Sequence, residues 1–227
     1  MSETIEEITS VMGAERIGNA PARIDWILTD SRSLCFPEET LFFALKTKRN
    51  DGHKYIHELY ERGVRNFVVS DLPENGEAYV DTNFLKVANP LRALQRLVAK
   101  HREQFQIPVV GITGSNGKTI VKEWLYQLLS PERIITRSPR SYNSQIGVPL
   151  SVWLLNEHTE LGIFEAGISE MGEMEALRPI IQPTIGVLTN IGGAHQENFT
   201  SLQDKCMEKL QLFKDCDVII YNGDNEL

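Results

Sequence analysis

The sequence reads as α/β: a small amino-terminal α/β unit over residues 1–87, then, over residues 88–227, a mostly parallel sheet entered through a glycine-rich loop. Two observations carry this reading. Short apolar runs of strand length alternate with segments whose apolar residues recur at helical spacing. One of those strands, Val109 to Ile112, hands over to one of those helices through Gly111, Gly114 and Gly117. A third observation bounds it: 227 residues, 41% hydrophobic and 24% charged, suffice for about one or two soluble globular domains.

The charge balance narrows the function classes. A formal net charge of −8 argues against a broad nucleic-acid-binding face, which needs clustered Lys and Arg. No apolar run approaches the roughly 20 residues of a membrane span, so no membrane insertion is expected. The acidic start, Met1-Ser-Glu-Thr-Ile-Glu-Glu7, lacks the basic and apolar regions of a secretory signal, and a cytoplasmic location is expected. Cys35, Cys206 and Cys216 are odd in number and show no C-x-x-C spacing. They read as buried thiols, not as a disulfide framework or a zinc site.

In chain order, Trp26 to Thr29 and Leu41 to Leu45 have strand character, Tyr55 to Arg62 is helical and ends near Gly63, and Phe67 to Val69 is the next strand. Asn89-Pro90 opens a helix through Leu91, Leu94, Leu97, Val98 and His101, with proline at an early helical position where its missing N–H costs little. The strand at Val109 follows. The next helix is predicted to present Ile120, Val121, Trp124, Leu125, Leu128 and Leu129 at helical spacing. Further strands are predicted at Arg133 to Thr136, Leu161 to Glu165, Thr184 to Thr189 and Asp217 to Tyr221, with helical segments between most of them. A sheet of this kind binds ligands beyond the carboxyl ends of its strands.

The chemistry starts at Gly111-Ile-Thr-Gly-Ser-Asn-Gly-Lys-Thr119. A glycine-rich turn between strand and helix brings backbone N–H groups up to an anion, and the helix aims its positive end there. The first glycine of the usual G-x-x-x-x-G-K-[ST] pattern would fall at Ile112; here Gly111 and Gly114 take over, giving G-x-x-G-x-x-G-K-T. The loop Gly114, Ser115, Asn116, Gly117 would cradle the phosphates of ATP or GTP, Lys118 would reach the terminal ones, and Thr119 would offer a hydroxyl to magnesium. The bland alternative is a glycine-rich turn with a surface lysine.

Three further candidates lie after strand ends. Glu165 closes its strand and should project toward the loop as a magnesium ligand, or else face solvent. Thr189-Asn-Ile-Gly-Gly-Ala-His195 places a histidine that is a metal ligand or a hydrogen-bonded loop residue. Ser201-Leu-Gln-Asp204 is a helix-capping signature, with Leu202, Cys206, Leu210 and Phe213 as the apolar face and Lys205 and Lys209 one turn apart, most simply in solvent. The turn-rich Ser138 to Pro149 segment is a substrate loop or a plain polar connection.

Taken together, these residues resemble the Mur ligases, the ATP-dependent amide-forming enzymes of peptidoglycan precursor synthesis. The resemblance rests on Gly114-Ser-Asn-Gly-Lys-Thr119, Tyr142-Asn-Ser-Gln-Ile-Gly-Val-Pro149, Phe164-Glu-Ala-Gly167 and Thr189-Asn-Ile through Ala194-His195. In the amino-terminal part it rests on Asp30-Ser-Arg32, Phe43-Ala-Leu45 and Asp51-Gly-His53. Val121-Lys-Glu123 and Gly172-Glu-Met174 look most like the branch that adds D-alanyl-D-alanine. Met171, Gln196 and Asn198 depart from the family pattern and bear on the fine substrate contacts.

The resemblance implies roles residue by residue. Thr119 and Glu165 match positions that hold magnesium against ATP, His195 matches a ligand of a second metal ion, and Lys209 matches a carbamylated lysine; Lys118, Glu165, His195 and Lys209 are thus the implied catalytic set. Asp30, Ser31, Arg32, Asp51, Gly52 and His53 match the pocket for the UDP end of the substrate, and Asn143 a further substrate contact. The implied partners are UDP-N-acetylmuramoyl-tripeptide and D-alanyl-D-alanine. The implied cofactors are ATP and one or two Mg2+ ions. The resemblance also implies a carboxyl-terminal domain beyond Leu227, making this chain a truncated part of a longer ligase. Two other readings compete: another Mur ligase adding diaminopimelate or lysine, and a non-catalytic nucleotide switch.

Overall fold

The computed structural model describes residues 3–47, 50–192 and 198–224. They divide into two compact units, Met1–Leu97 and Val98–Leu227.

The first unit contains β1 (Glu3–Thr4), α1 (Ile5–Met12), β2 (Glu15–Ile17), β3 (Arg23–Ile24), β4 (Trp26–Leu28), β5 (Thr40–Phe43), α2 (Ile56–Glu61), β6 (Asn66–Val69) and β7 (Asn83–Lys86). Its main sheet has the order β2-β7-β6-β5-β4. Strands β4 to β7 run parallel, and β2 pairs antiparallel with β7. The strands at 26, 41 and 67 are thus where periodicity put them. Helix α1 was not foreseen, although its signals are local: Thr4 and Glu7 form a reciprocal capping box, Ile5, Ile8 and Met12 are buried, and Gly13 closes the helix at φ +63°. Phe42, Phe67 and Phe84 lie on adjacent strands with their rings in contact, and burying each contributes about 1.5–3 kcal/mol.

Helix α3 (Pro90–Arg102) begins as expected, with Asn89 accepting the Arg92 N–H at its start, and the division between the units falls inside it. The second unit continues with β8 (Val109–Thr113), α4 (Lys118–Leu129), β9 (Ile135–Arg137), α5 (Gly147–Val152), β10 (Leu161–Glu165), α6 (Glu173–Ile181), β11 (Ile185–Leu188), α7 (Leu202–Leu210) and β12 (Val218–Tyr221). All strands of the sheet β12-β11-β8-β10-β9 are parallel, so the ends of β8, β9, β10 and β11 open on one edge. β8 lies at its centre. Helix α5 begins within the Ser138 to Pro149 stretch, read as a substrate loop or polar connection, because it is a short helix carrying Pro149; α6, which starts after Gly172 at φ +82°, lies between the strands at 161 and 184 and fits the expected alternation.

Several expectations about burial are corrected. On α4 only Val121 and Leu125 pack against Val110, Ile112 and Ile163, while Ile120, Trp124 and Leu128 are exposed. The buried residue of that helix is Lys122. The cysteines are free, with Cys35 exposed and Cys206 and Cys216 half-buried, so none is a fully buried thiol. All four residues of the edge strand β12 are exposed. Among the described residues no helix is long and apolar enough to cross a membrane.

Candidate active site

The glycine-rich loop leaves the end of β8 and turns into α4. Gly114 stands at φ +145°, where a Cβ would fall 1.9 Å from Thr189 Oγ1, and Gly117 stands at φ +82° immediately before the helix. The loop is held by the segment after β11. Ser115 N donates to Asn190 O at 2.8 Å and Asn116 N to Asn190 Oδ1 at 2.9 Å. Thr189 Oγ1 donates to Asn116 O at 2.6 Å, and Gly192 N donates to Ser115 Oγ at 2.9 Å.

Lys118 curls back over the loop, its ammonium donating to Gly114 O at 2.7 Å. At the start of the same helix the Thr119 hydroxyl donates to Glu165 Oε2 at 3.0 Å. Glu165, at the end of β10, is wholly buried and not solvent-facing. Among the described residues its other oxygen, Oε1, has no hydrogen-bond donor, although the Lys122 ammonium lies 3.0 Å away. The ammonium directs its protons to Ser138 O at 2.8 Å and to Arg140 O, so it faces Oε1 as a charge without an aligned N–H. A buried carboxylate with an open lone pair beside a hydroxyl is a donor set that fits a hard cation such as Mg2+. Among the described residues no group of three His, Cys, Asp or Glu side chains could hold a metal ion, so such an ion would complete its shell from elsewhere.

Helix α7 overturns the simplest reading of its lysines. Ser201 caps it as expected, accepting from Asp204 N at 3.0 Å. However, Leu202 is exposed and Cys206 half-buried, whereas Lys205 and Lys209 are only 1% and 3% exposed. Lys209 Nζ donates to Gly114 O at 3.3 Å, and Lys205 Nζ donates to Gly192 O at 2.5 Å. Burial, then the neighbouring charges of Lys118 and Lys205, lower the pKa of Lys209 to about 8. Burial likewise pulls Lys118 down, Glu165 opposing this and Lys205 adding to it. Three lysines thus concentrate positive charge at one strand edge of an acidic chain.

A cavity of about 140 Å³ opens there, lined by Gly114, Ser115, Lys118, Lys209, Asn143, Gln145 and Glu173 among others. It has room for phosphate groups and is smaller than the roughly 300–1,000 Å³ pockets that take whole small molecules. Asn143 O accepts from Gly167 N at 2.7 Å, which brings the 138–149 loop against the turn after β10. His195 lies outside the described residues.

In the first unit, Asp30-Ser-Arg32 follows the end of β4 and Asp51-Gly-His53 follows that of its neighbour β5, on one edge of the sheet. The Arg32 side chain is 86% exposed and pairs with Asp30 at 2.6 Å. Ser31 is buried, and its carbonyl accepts from Arg62. His53 is engaged on both ring nitrogens, Nδ1 with Asp51 at 2.6 Å and Nε2 with Ser70 N at 3.1 Å. Gly52 runs so close to Ala44 and Leu45 that a Cβ would meet their backbone at 2.8–2.9 Å.

A parallel sheet whose central strand feeds a glycine-rich loop, with lysine and threonine opening the next helix and a carboxylate on the neighbouring strand, defines a phosphate-loop α/β protein. Residues 112–227 match the Mur ligase middle domain, and the chain belongs to the Mur ligase family. It is 33% identical over 211 residues to the UDP-N-acetylmuramoyl-tripeptide–D-alanyl-D-alanine ligase of Bacillus subtilis, covering 90% of this chain and 44% of that protein. Among solved structures it resembles MurF from Acinetobacter baumannii at TM-score 0.86 and 27% identity, covering 97% of this chain and 49% of that one. It also resembles the Thermotoga maritima MurF ligase in complex with ADP, at TM-score 0.76 and 28% identity, covering 88% and 46%. The chain spans about half the length of the relatives it matches.

Proposed function

We propose that this chain carries the UDP-substrate and ATP sites of a ligase that adds D-alanyl-D-alanine to UDP-N-acetylmuramoyl-tripeptide in peptidoglycan precursor synthesis. The observation that supports this most directly is the pairing of Lys118, folded over Gly114 O, with the Thr119–Glu165 contact at the opening of α4. In the proposed reaction a carboxylate oxygen of the tripeptide attacks the γ-phosphorus of ATP, ADP leaves, and an acyl phosphate forms. The amine of D-alanyl-D-alanine then attacks the acyl carbon, phosphate leaves with the C–O bond electrons, and the nitrogen loses its proton as the amide forms.

Both reactants are anions, and Lys118 supplies the positive charge that lets them approach. The amino end of α4 holds the β-phosphate side, since the Ser115 and Asn116 N–H groups already donate to Asn190. Thr119 and Glu165 would hold Mg2+, which when bound spreads the negative charge of the phosphates. Lys209 takes its place as the lysine whose neutral amine adds to CO2, forming the N–C bond and losing one proton to solvent to give a carbamate, a change that burial and its lowered pKa favour. Asp30, Ser31, Arg32 and the Asp51 to His53 turn take the UDP end in the first unit, and Asn143 contacts the peptide end.

The test is two-part. Calorimetry of this chain with ADP, with and without Mg2+, should show binding that the metal strengthens; no binding under either condition refutes the nucleotide site. Phosphate release by the chain joined to its carboxyl-terminal domain, given ATP, Mg2+ and UDP-N-acetylmuramoyl-tripeptide, should rise with D-alanyl-D-alanine. A rise with a different amino compound, such as diaminopimelate, would reassign the branch.

A further inference from the structure

Lys122 is the one α4 side chain with no exposure, and the proposed chemistry gives it no part. It sits one turn beyond Lys118 and Thr119 and is not among the residues that line the phosphate cavity. Its ammonium lies 3.0 Å from Glu165 Oε1 and 3.1 Å from Glu123 Oε1, and it donates to Ser138 O and Arg140 O. Glu123 is in turn 3.2 Å from Arg137. A buried ammonium so placed is anchored on every side, and it reaches three pieces of the site: the helix that opens at Lys118, the end of β10, and the turn after β9. That turn holds Arg140 at φ +49° and leads into Asn143 and Gln145 of the cavity lining.

We infer that Lys122 is the positioning residue that fixes the Glu165 carboxylate for a divalent cation bound with the nucleotide phosphates. This rests on the reading of Thr119 and Glu165 as the metal-holding pair. The carboxylate is gripped at both ends, Oε1 facing Lys122 and Oε2 accepting from Thr119, so its plane is set before any cation arrives. Ligand orientation fixed in this way by neighbouring groups changes metal affinity by about 10–100-fold in other sites. An opposing effect must be weighed: a positive charge near a cation repels it. Here that charge is already matched by Glu123 at 3.1 Å and by Glu165 itself, so the cluster Arg137, Glu123, Lys122, Glu165 has no net charge. Orientation then outweighs repulsion, and loss of Lys122 should weaken the metal, not tighten it.

The experiment measures ADP affinity of this chain by calorimetry with and without Mn2+, for the wild type, Lys122→Gln and Lys122→Arg. The ratio of the two affinities reports the metal alone. In Lys122→Gln the ratio should fall by about tenfold or more while metal-free ADP affinity stays within about twofold. Lys122→Arg keeps a positive charge but presents a planar fork, and it should give an intermediate ratio. If Lys122→Gln does not fold, Lys122→Arg and Glu123→Gln decide. The latter alters a half-exposed group and removes one carboxylate from Lys122, and it should lower the ratio by a smaller factor. A wild-type ratio in the folded variants, a raised ratio, or an equal loss of ADP affinity with and without Mn2+ overturns the inference. A wild-type chain whose ADP affinity ignores Mn2+ instead removes the metal-site reading on which the inference stands.

Discussion

The hydroxyl of Thr119 and the carboxylate of Glu165, 46 residues apart in sequence, meet at 3.0 Å between the first turn of α4 and the end of β10. Their substitutions should affect metal binding and stability to different degrees. Thr119→Val removes one oxygen from the proposed cation site and the hydrogen bond to buried Glu165 Oε2, so Mg2+ should no longer strengthen ADP binding and urea unfolding should show a loss of about 1–3 kcal/mol. Glu165→Gln should do the same to the metal effect and destabilise the chain by about 3 kcal/mol, because buried Lys122 then keeps only Glu123 as a carboxylate partner. Full metal dependence in Thr119→Val would count against the site.

Lys118→Ala should abolish measurable nucleotide binding without loss of folding. Burial pulls the pKa of Lys118 down, so truncation relieves a desolvation cost while leaving the phosphates without their nearest cation. Calorimetry with ADP and a thermal melt check the two halves. Near wild-type affinity would remove Lys118 from its role.

Lys209 makes a pH prediction. Its pKa is near 8 when folded and near the ordinary lysine value when unfolded, so between these the unfolded chain binds more protons and stability rises with pH. Below pH 8 the cost of the buried charge is fully present. Lys209→Met should therefore stabilise the chain by about 1–3 kcal/mol at pH 7, a gain that shrinks as pH climbs from 8 toward 10.5. Urea unfolding across that range measures it, and a gain independent of pH would show that Lys209 is not held charged at a cost. In the ligase joined to its carboxyl-terminal domain, Lys209→Ala should lose most activity and recover part of it with added short carboxylic acids. Full activity without them would exclude the carbamate.

Arg32→Ala should weaken binding of the UDP-sugar substrate about tenfold and leave ADP affinity unchanged. Arg32 is exposed in the first unit, and among the described residues its side chain pairs with Asp30, which is itself half-exposed, so its loss unpairs nothing buried. Parallel calorimetric titrations with the two ligands decide, and equal losses for both would refute separate sites.

What could be read in advance follows from how local each signal is. The phosphate loop, the strand ending at Glu165 and the cap at Ser201 are each written within a few residues, and all three stand where expected. The burial of Lys205 and Lys209 was not legible, because the Leu202, Cys206, Leu210 spacing pointed the helix the other way. The carbonyl that Lys209 meets, Gly114 O, lies 95 residues away. Lys122 was hidden for the same reason: between Val121 and Glu123 it looks like a surface residue, and only the turn at Ser138 to Arg140 makes it a buried one. Helix α1 is a different kind of miss, since Thr4 and Glu7 spell its start in the sequence.

The lacing of Ser115 and Asn116 to Thr189, Asn190 and Gly192 bears on the timing of order. Each residue frozen into one backbone conformation gives up roughly 1–2 kcal/mol of entropy, and in this loop that loss falls at the moment of folding. Nucleotide then meets a cradle already shaped, so its encounter resembles docking onto a rigid surface more than the closing of a flexible one. Asn190, which lies on a different strand end, acts as a brace for this rigidity. The amide hydrogens of Ser115 and Asn116 should accordingly exchange with solvent as slowly as those of the sheet they join, with no nucleotide present.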